Sequence, residues 1–124
     1  MPHADERYQE ATCRNLGLIS ENEQEMLRNA KVAIAGMGAV GGHYLLTLAR
    51  LGVGKFAIAD PDIFETVNLH RQAGAFSHSL GKRKVEAMAE MIRSINPGAE
   101  ITTFSEGITE ENADEFIAGA KSWK

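Results

Sequence analysis

The sequence predicts an α/β domain built in three layers around a mostly parallel sheet, with a helix ahead of the first strand. Two observations carry this prediction. Short runs rich in apolar or β-branched residues at 31–35, 56–59 and 100–104 alternate with stretches of helical period. Such alternation implies parallel strands joined by right-handed crossovers. Glycines 36, 38 and 41 follow the first run and open the first long helical stretch, where a strand passes directly into a helix.

Residues 1–12 are polar without an apolar period and are expected to be loose and mobile. Residues 20–30 read as a helix. Ser20-Glu21-Asn22-Glu23 has capping-box spacing, and Met26 and Leu27 supply an apolar stripe. Lys31-Val32-Ala33-Ile34-Ala35 reads as a buried strand. From Ala39 to Leu51 the apolar residues at 40, 44, 45, 48, 49 and 51 form a helical set. Phe56-Ala57-Ile58-Ala59 is a second buried strand, stopped by Asp60-Pro61. Residues 61–79 are irregular and polar, and a connection of that length is functional or disordered. Helix resumes near Gly81, with Val85, Met88, Ala89, Met91, Ile92 and Ile95 on one face, and ends at Asn96-Pro97-Gly98. Glu100 to Phe104 forms the third strand, and Thr109 caps a short helix reaching about Ile117.

Composition narrows the function. The chain has 124 residues, 44% hydrophobic and 24% charged, with a net charge of −4. An acidic balance argues against nucleic-acid binding by bulk electrostatics, which wants a basic excess. No stretch is apolar enough to span a bilayer, the N-terminus has no secretory core, and the single Cys13 rules out an internal disulfide. The cytoplasm is the expected compartment.

Gly36-Met37-Gly38-Ala39-Val40-Gly41 has a separate reason for each glycine. Gly36 permits a tight turn, Gly38 lets backbone N–H groups approach a phosphate, and Gly41 lets the helix pack close to the strand. The following helix N-terminus adds a partial positive charge. Asp60 stands nineteen residues after Gly41, where a carboxylate can accept from ribose hydroxyls. Together these describe a Rossmann-like three-layer domain that holds a nucleotide. The plainer alternative for the loop is a tight βα turn with no ligand. The competitor to Asp60 is Asp62, which lies beyond Pro61 and in the plainer reading caps the loop.

The next segment separates one nucleotide from another. A dinucleotide site needs little beyond the ribose acid, whereas ATP needs cations and amides around its phosphates. Asn68, Arg71 and Gln72 supply them within five residues, and Lys84 follows on the next helix as a point charge for phosphate. A solvated polar loop is the alternative for this cluster. An NAD(P)- or FAD-binding Rossmann module and a non-catalytic interaction domain are the alternatives for the whole chain.

The combination of strand-GxGxxG-helix, strand-DxD, Asn68-Leu69-His70-Arg71-Gln72 and a lysine thirteen residues after the arginine resembles one family. It is that of the ThiF/MoeB-type adenylyltransferases in the ubiquitin-activating-enzyme-like superfamily, and the resemblance spans residues 14 to 118. It implies ATP and magnesium as cofactors, and adenylation of the C-terminal carboxylate of a ubiquitin-like or sulfur-carrier protein. By the same resemblance Gly36, Gly38 and Gly41 form the phosphate loop, Asp60 binds the ribose, and Asn68, Arg71 and Gln72 surround the phosphates. Lys84 stabilises phosphoryl charge. Family members pair as homodimers in which an N-terminal arginine enters the neighbour's site, and Arg14 looks like that residue.

The family's domain runs further than these residues. A strand carrying a magnesium-binding aspartate is expected after Ala118-Gly119-Ala120, where the sequence reads Lys121-Ser122-Trp123-Lys124. The expectation is therefore an N-terminal arm (1–19), a nucleotide-binding domain truncated after about three strands (20–120) and a tail (121–124). Without the magnesium aspartate and the carrier-protein surface of the family's remaining half, no efficient ATP–pyrophosphate exchange is expected from these residues alone, and the family's catalytic cysteine is absent as well. Asp114 lies in a helix pattern and is no substitute, and Cys13 reads as inert. A homodimer is expected through the helix around Met26 and Leu27 or through the open sheet edge. His43 reads as a helix-surface residue, His70 as spacing within its motif, and His78 as lacking a partner. Lys82 and Arg83 read as a solvated helix start, and Met88 and Met91 as core.

Overall fold

The computed structural model describes residues 4–120, so the assigned tail 121–124 and the first three residues of the arm lie outside the described residues. The elements are α1 (Ala4–Thr12), α2 (Glu21–Asn29), β1 (Lys31–Ala35), α3 (Gly41–Leu51), β2 (Lys55–Ala59), α4 (Lys84–Ile95), β3 (Glu100–Phe104) and α5 (Ala113–Ile117). Single 3-10 turns occur at Cys13–Asn15, Thr66–Asn68 and Ser77–Ser79. No helix among the described residues is long and apolar enough to cross a membrane.

The strands form one parallel sheet in the order β1-β2-β3, with Ala33 opposite Ala57 and Ala57 opposite Thr102. Side chains alternate across it. Val32, Ile34, Phe56, Ile58 and Ile101 join one cluster with Leu45 and Ala49 of α3 and Val85, Met88 and Ile92 of α4. Ala33, Ala57, Ala59 and Phe104 face the other way, where Phe116 of α5 meets Phe104 edge-on at 5.4 Å. Small residues on that face let a five-residue helix sit close. Only the central strand is buried from its second residue on, over Phe56–Ala59: β1 is half-buried, not the buried strand its composition suggests, because it pairs with β2 along one edge. Lys31 also forms a parallel bridge with Ala120, and its Nζ donates to the Ala118 carbonyl at 2.6 Å.

Residues 4–12 are not loose. They form α1, anchored by one tyrosine whose position an apolar period does not reveal. Tyr8 is buried, and its hydroxyl donates to the Gly52 carbonyl at 2.6 Å and accepts from Gln24 Nε2 at 3.0 Å. Arg28 lies over its ring, 4.5 Å from the centroid, and pairs with Asp5. The capping box at Ser20 is present. The stripe on α2 differs from expectation, however: Met26 is 66% exposed, while Gln24 is buried and bonded to the Leu51 carbonyl at 2.9 Å. On α3 the stripe is likewise rotated, with Leu45 and Ala49 inside and Val40 and Tyr44 outside.

Burial raises the Tyr8 hydroxyl above its ordinary 10.0, against smaller lowering effects from Gln24 and Arg28. A raised pKa means that the folded state holds the proton more tightly than the unfolded chain does. The stabilisation is therefore full below pH 10.0 and is lost as pH rises through the folded value. Urea denaturation of the wild type and Tyr8→Phe from pH 8 to 11 checks this. The variant is expected to be about 1–3 kcal/mol less stable at pH 8, since Gln24 Nε2 loses an acceptor, and the gap should shrink at alkaline pH. A constant gap would remove the ionisation argument.

The long connection after β2 is ordered by its base. Phe64 N donates to the Lys82 carbonyl at 3.0 Å and Gly81 N to the Phe64 carbonyl at 2.9 Å, while the Phe64 ring is buried in the main core. Ser79 Oγ donates to the Gly74 carbonyl at 2.6 Å. α4 starts at Lys84 and not near Gly81, whose φ of +85 lies outside the helical region. Before α5, Thr109 and Asn112 bond each other's backbone N–H, so Thr109 opens the turn and Asn112 occupies the cap.

Candidate nucleotide site

The glycine loop leaves the C-terminal end of β1, the end of a parallel sheet where α/β folds bind ligands. Gly36 has φ +93, a left-handed conformation that glycine adopts without strain, and its N–H donates to the Ala59 carbonyl at 2.7 Å. A Cβ on Gly41 would lie 1.8 Å from the Gly36 carbonyl oxygen, so α3 packs against the loop too closely for any other residue. At Gly38 the nearest atom to such a Cβ would be Gln72 Nε2 at 3.8 Å. The N-terminus of α3 has no side-chain cap and no acidic residue in its first turn, so its amides are free of side-chain competition.

Asp60 follows β2 and is buried. Its Oδ2 accepts from the Met37 N–H at 2.7 Å, and its Oδ1 accepts from the Asp62 N–H at 2.8 Å. Asp60 thus ties the middle of the glycine loop to the end of β2 while turning its own loop. Loop capping, assigned to Asp62 in the plainer alternative, is done by Asp60, and Asp62 is exposed. The sequence contained no signal for the Met37 amide.

Asn68 is buried, and its Oδ1 accepts from the Glu65 N–H at 2.8 Å, which leaves Nδ2 for another partner. Gln72 is 7% exposed beside Gly38, and its Oε1 is buried with no hydrogen-bond partner among the described residues. A buried acceptor in that state is costly unless a donor arrives. Lys84 is 6% exposed, with its Nζ 5.6 Å from the centre of the Phe64 ring. Among the described residues no carboxylate pairs with it. Its backbone N–H donates to the Asp62 carbonyl at 3.0 Å, which joins the start of α4 to the segment following Asp60. No motif points to Phe64, the ring beneath the amine; its one signal in the sequence is an apolar residue inside a polar connection. Arg71 is exposed, beside His70.

Arg14 stands apart. It is exposed in the turn Cys13–Asn15, and neighbouring Asn15 donates to the Leu51 carbonyl at 3.2 Å. Leu51 ends the helix that Gly41 begins, and ten residues of helix span about 15 Å. The structure therefore brings together the glycine loop, Asp60, Gln72 and the start of α4, and leaves Arg14 at the far end of α3. Lys82 pairs with Glu90 at 3.5 Å, Arg83 donates to the Ser105 carbonyl at 3.4 Å, and His43 is exposed. His78, expected to lack a partner, stacks on Phe76 at 5.2 Å. Cys13 is exposed and free.

Residues 12–122 match the ThiF family. The chain belongs to that family. Among its relatives is the tRNA threonylcarbamoyladenosine dehydratase of Bacillus subtilis, 36% identical over 84% of this chain and 41% of that protein. Another is the adenylyltransferase and sulfurtransferase UBA4 of Saccharomyces cerevisiae, 36% identical over 77% of this chain and 22% of that protein. The crystal structure of the Escherichia coli dehydratase TcdA in complex with ATP superposes with a TM-score of 0.83 at 29% identity, covering 89% of this chain and 45% of that one. The chain spans less than half the length of each of these proteins. Among the described residues no three or more of His, Cys, Asp and Glu gather as a metal site, so no step of the chemistry is assigned to magnesium held by them.

Proposed function

We propose that this ThiF-family domain binds ATP at the C-terminal ends of β1 and β2 and contributes the nucleotide half of a carboxylate-adenylating site. The observation that carries this reading is a convergence. Asp60 fastens the glycine loop, and, among the described residues, Gln72 lies against Gly38 with an unused acceptor and the buried amine of Lys84 has no carboxylate partner. A cation buried beside one aromatic ring is disfavoured on its own and is compensated by an incoming anion. TcdA, which shares this fold at 29% identity, is solved with ATP.

In this reading the loop amides and the α3 N-terminus face the phosphates. The free lone pairs of Asp60 accept from the ribose, and Asn68 Nδ2, Arg71 and Lys84 meet the phosphate chain. A carboxylate oxygen attacks the α-phosphorus, the bond to the β-phosphate oxygen breaks, and pyrophosphate leaves. Both reactants are anions, so the work of the protein is positioning and charge neutralisation. The carboxylate is the C-terminus of a ubiquitin-like or sulfur-carrier protein. A second reading, in which the acceptor is carried by a tRNA, is favoured by the tRNA dehydratases among the relatives. Arg14, about 15 Å along α3 from its own glycine loop, completes the site of a second copy in a homodimer. Light scattering that gives only a monomer at micromolar concentration would remove that part of the proposal.

Calorimetric titration tests the nucleotide assignment. ATP is expected to bind more tightly than NAD. Arg71→Ala should weaken ATP by about 1.5–3 kcal/mol, the worth of a charge-assisted contact, and AMP by much less. Tighter binding of NAD, or equal losses for ATP and AMP, would contradict the reading.

A further inference from the structure

His70 fills the variable place of its motif, and the chemistry above does not use it. Its ring is nonetheless engaged at both nitrogens. Nδ1 lies 2.9 Å from the Val67 carbonyl oxygen, and Nε2 lies 3.3 Å from Nη1 of Arg71. A carbonyl oxygen only accepts, so Nδ1 carries the proton. A guanidinium only donates, so Nε2 presents its lone pair. The two contacts together select one neutral tautomer. The same Nη1 also points at the Val67 carbonyl, at 3.4 Å. One end of the guanidinium is therefore gripped between a ring nitrogen and a carbonyl of its own turn. Nε and Nη2 make no hydrogen bond among the described residues.

We propose that His70 is a positioning residue for Arg71. By fixing Nη1 against the turn Thr66–Asn68, it presents Nε and Nη2 as a planar pair of donors, the geometry that grips a phosphate through two parallel hydrogen bonds. An exposed arginine otherwise samples many rotamers, and binding would have to order it. His70 thus sharpens recognition of the phosphate chain without touching it. This rests on the reading of Arg71 as a phosphate ligand.

The test combines titration of ATP and AMP with nitrogen-15 NMR of the imidazoles, on the wild type, Arg71→Ala, His70→Ala, His70→Gln and the double variant H70A/R71A. His70 should show the Nδ1–H tautomer, and its Nε2 signal should shift in Arg71→Ala. His70→Ala should weaken ATP about three- to tenfold, the range of one hydrogen bond, and leave AMP unchanged. His70→Gln, whose amide oxygen can replace the Nε2 acceptor, should recover ATP binding. In the Arg71→Ala background, His70→Ala should add nothing. An Nε2–H tautomer, an unchanged ATP affinity in His70→Ala beside a selective loss in Arg71→Ala, or an equal additional loss in the double variant each overturns the proposal alone. An Arg71→Ala variant that loses ATP and AMP alike overturns the assignment of Arg71, and the role of His70 with it.

Discussion

Gly41→Ala should abolish nucleotide binding and cost the fold about 3 kcal/mol or more. The added Cβ would sit 1.8 Å from the Gly36 carbonyl oxygen and 3.0 Å from its carbon. No side chain can swing away to make room, because the obstruction is backbone. Relief requires α3 to move off β1, or Gly36 to leave its bond to the Ala59 carbonyl. Either movement distorts the loop that Asp60 holds through the Met37 N–H. Overpacking of a close-packed site commonly costs about 1–3 kcal/mol even where side chains can adjust. Gly98→Ala is the control, since its Cβ would meet only Asn96 Oδ1 at 3.5 Å. It should be neutral or stabilising by a few tenths of a kcal/mol up to about 1 kcal/mol. Denaturant midpoints and ATP titrations measure both variants. A Gly41→Ala protein with wild-type stability and affinity would mean that α3 is not seated on the loop as described.

Lys84→Met should separate binding from stability. Methionine keeps the length and apolar stem of lysine and removes its charge. In the folded protein the ammonium has the Phe64 ring at 5.6 Å and no carboxylate partner among the described residues. The variant therefore loses a cation–π contact of about 0.5–2 kcal/mol and is relieved of the cost of burying an unpaired charge. These oppose each other, so stability should change by less than about 1 kcal/mol in either direction. ATP affinity should fall more than about tenfold, because a charge-assisted contact to phosphate is worth about 1.5–3 kcal/mol. Thermal melts without nucleotide, paired with ATP titration, distinguish the two effects. A large loss of stability with ATP affinity preserved would make Lys84 a structural residue and withdraw it from the site.

Much of this was legible in the sequence for a local reason. The three strands, the α4 face and the capping box at Ser20 follow from patterns within a few residues, and each lies where those patterns put it. The strand–glycine loop–helix unit is legible in the same way, since the positive φ of Gly36 and the clearance of Gly41 from the Gly36 carbonyl are demands set within the loop itself. Family membership followed from short motifs at fixed spacing, which are read within a few residues of chain. Helix α1 was not legible: it has no apolar period, and it is anchored by Tyr8 reaching Gly52, forty-four residues away in sequence, and by Asp5 pairing with Arg28. The rotated faces of α2 and α3 have the same origin, because an apolar period cannot tell an inward helix face from one left in solvent.

The residues' own sequence thus determined the order of elements, the strand–glycine loop–helix unit and the family, all properties of short segments. Only the tertiary structure decided that Asp60 staples the glycine loop before it can serve a ligand, that Lys84 is buried on Phe64, and that His70 holds Arg71. Each of these depends on where a side chain's second partner lies, and that partner is brought into reach by the packing of elements or by the turn of a loop, which motif spacing does not encode.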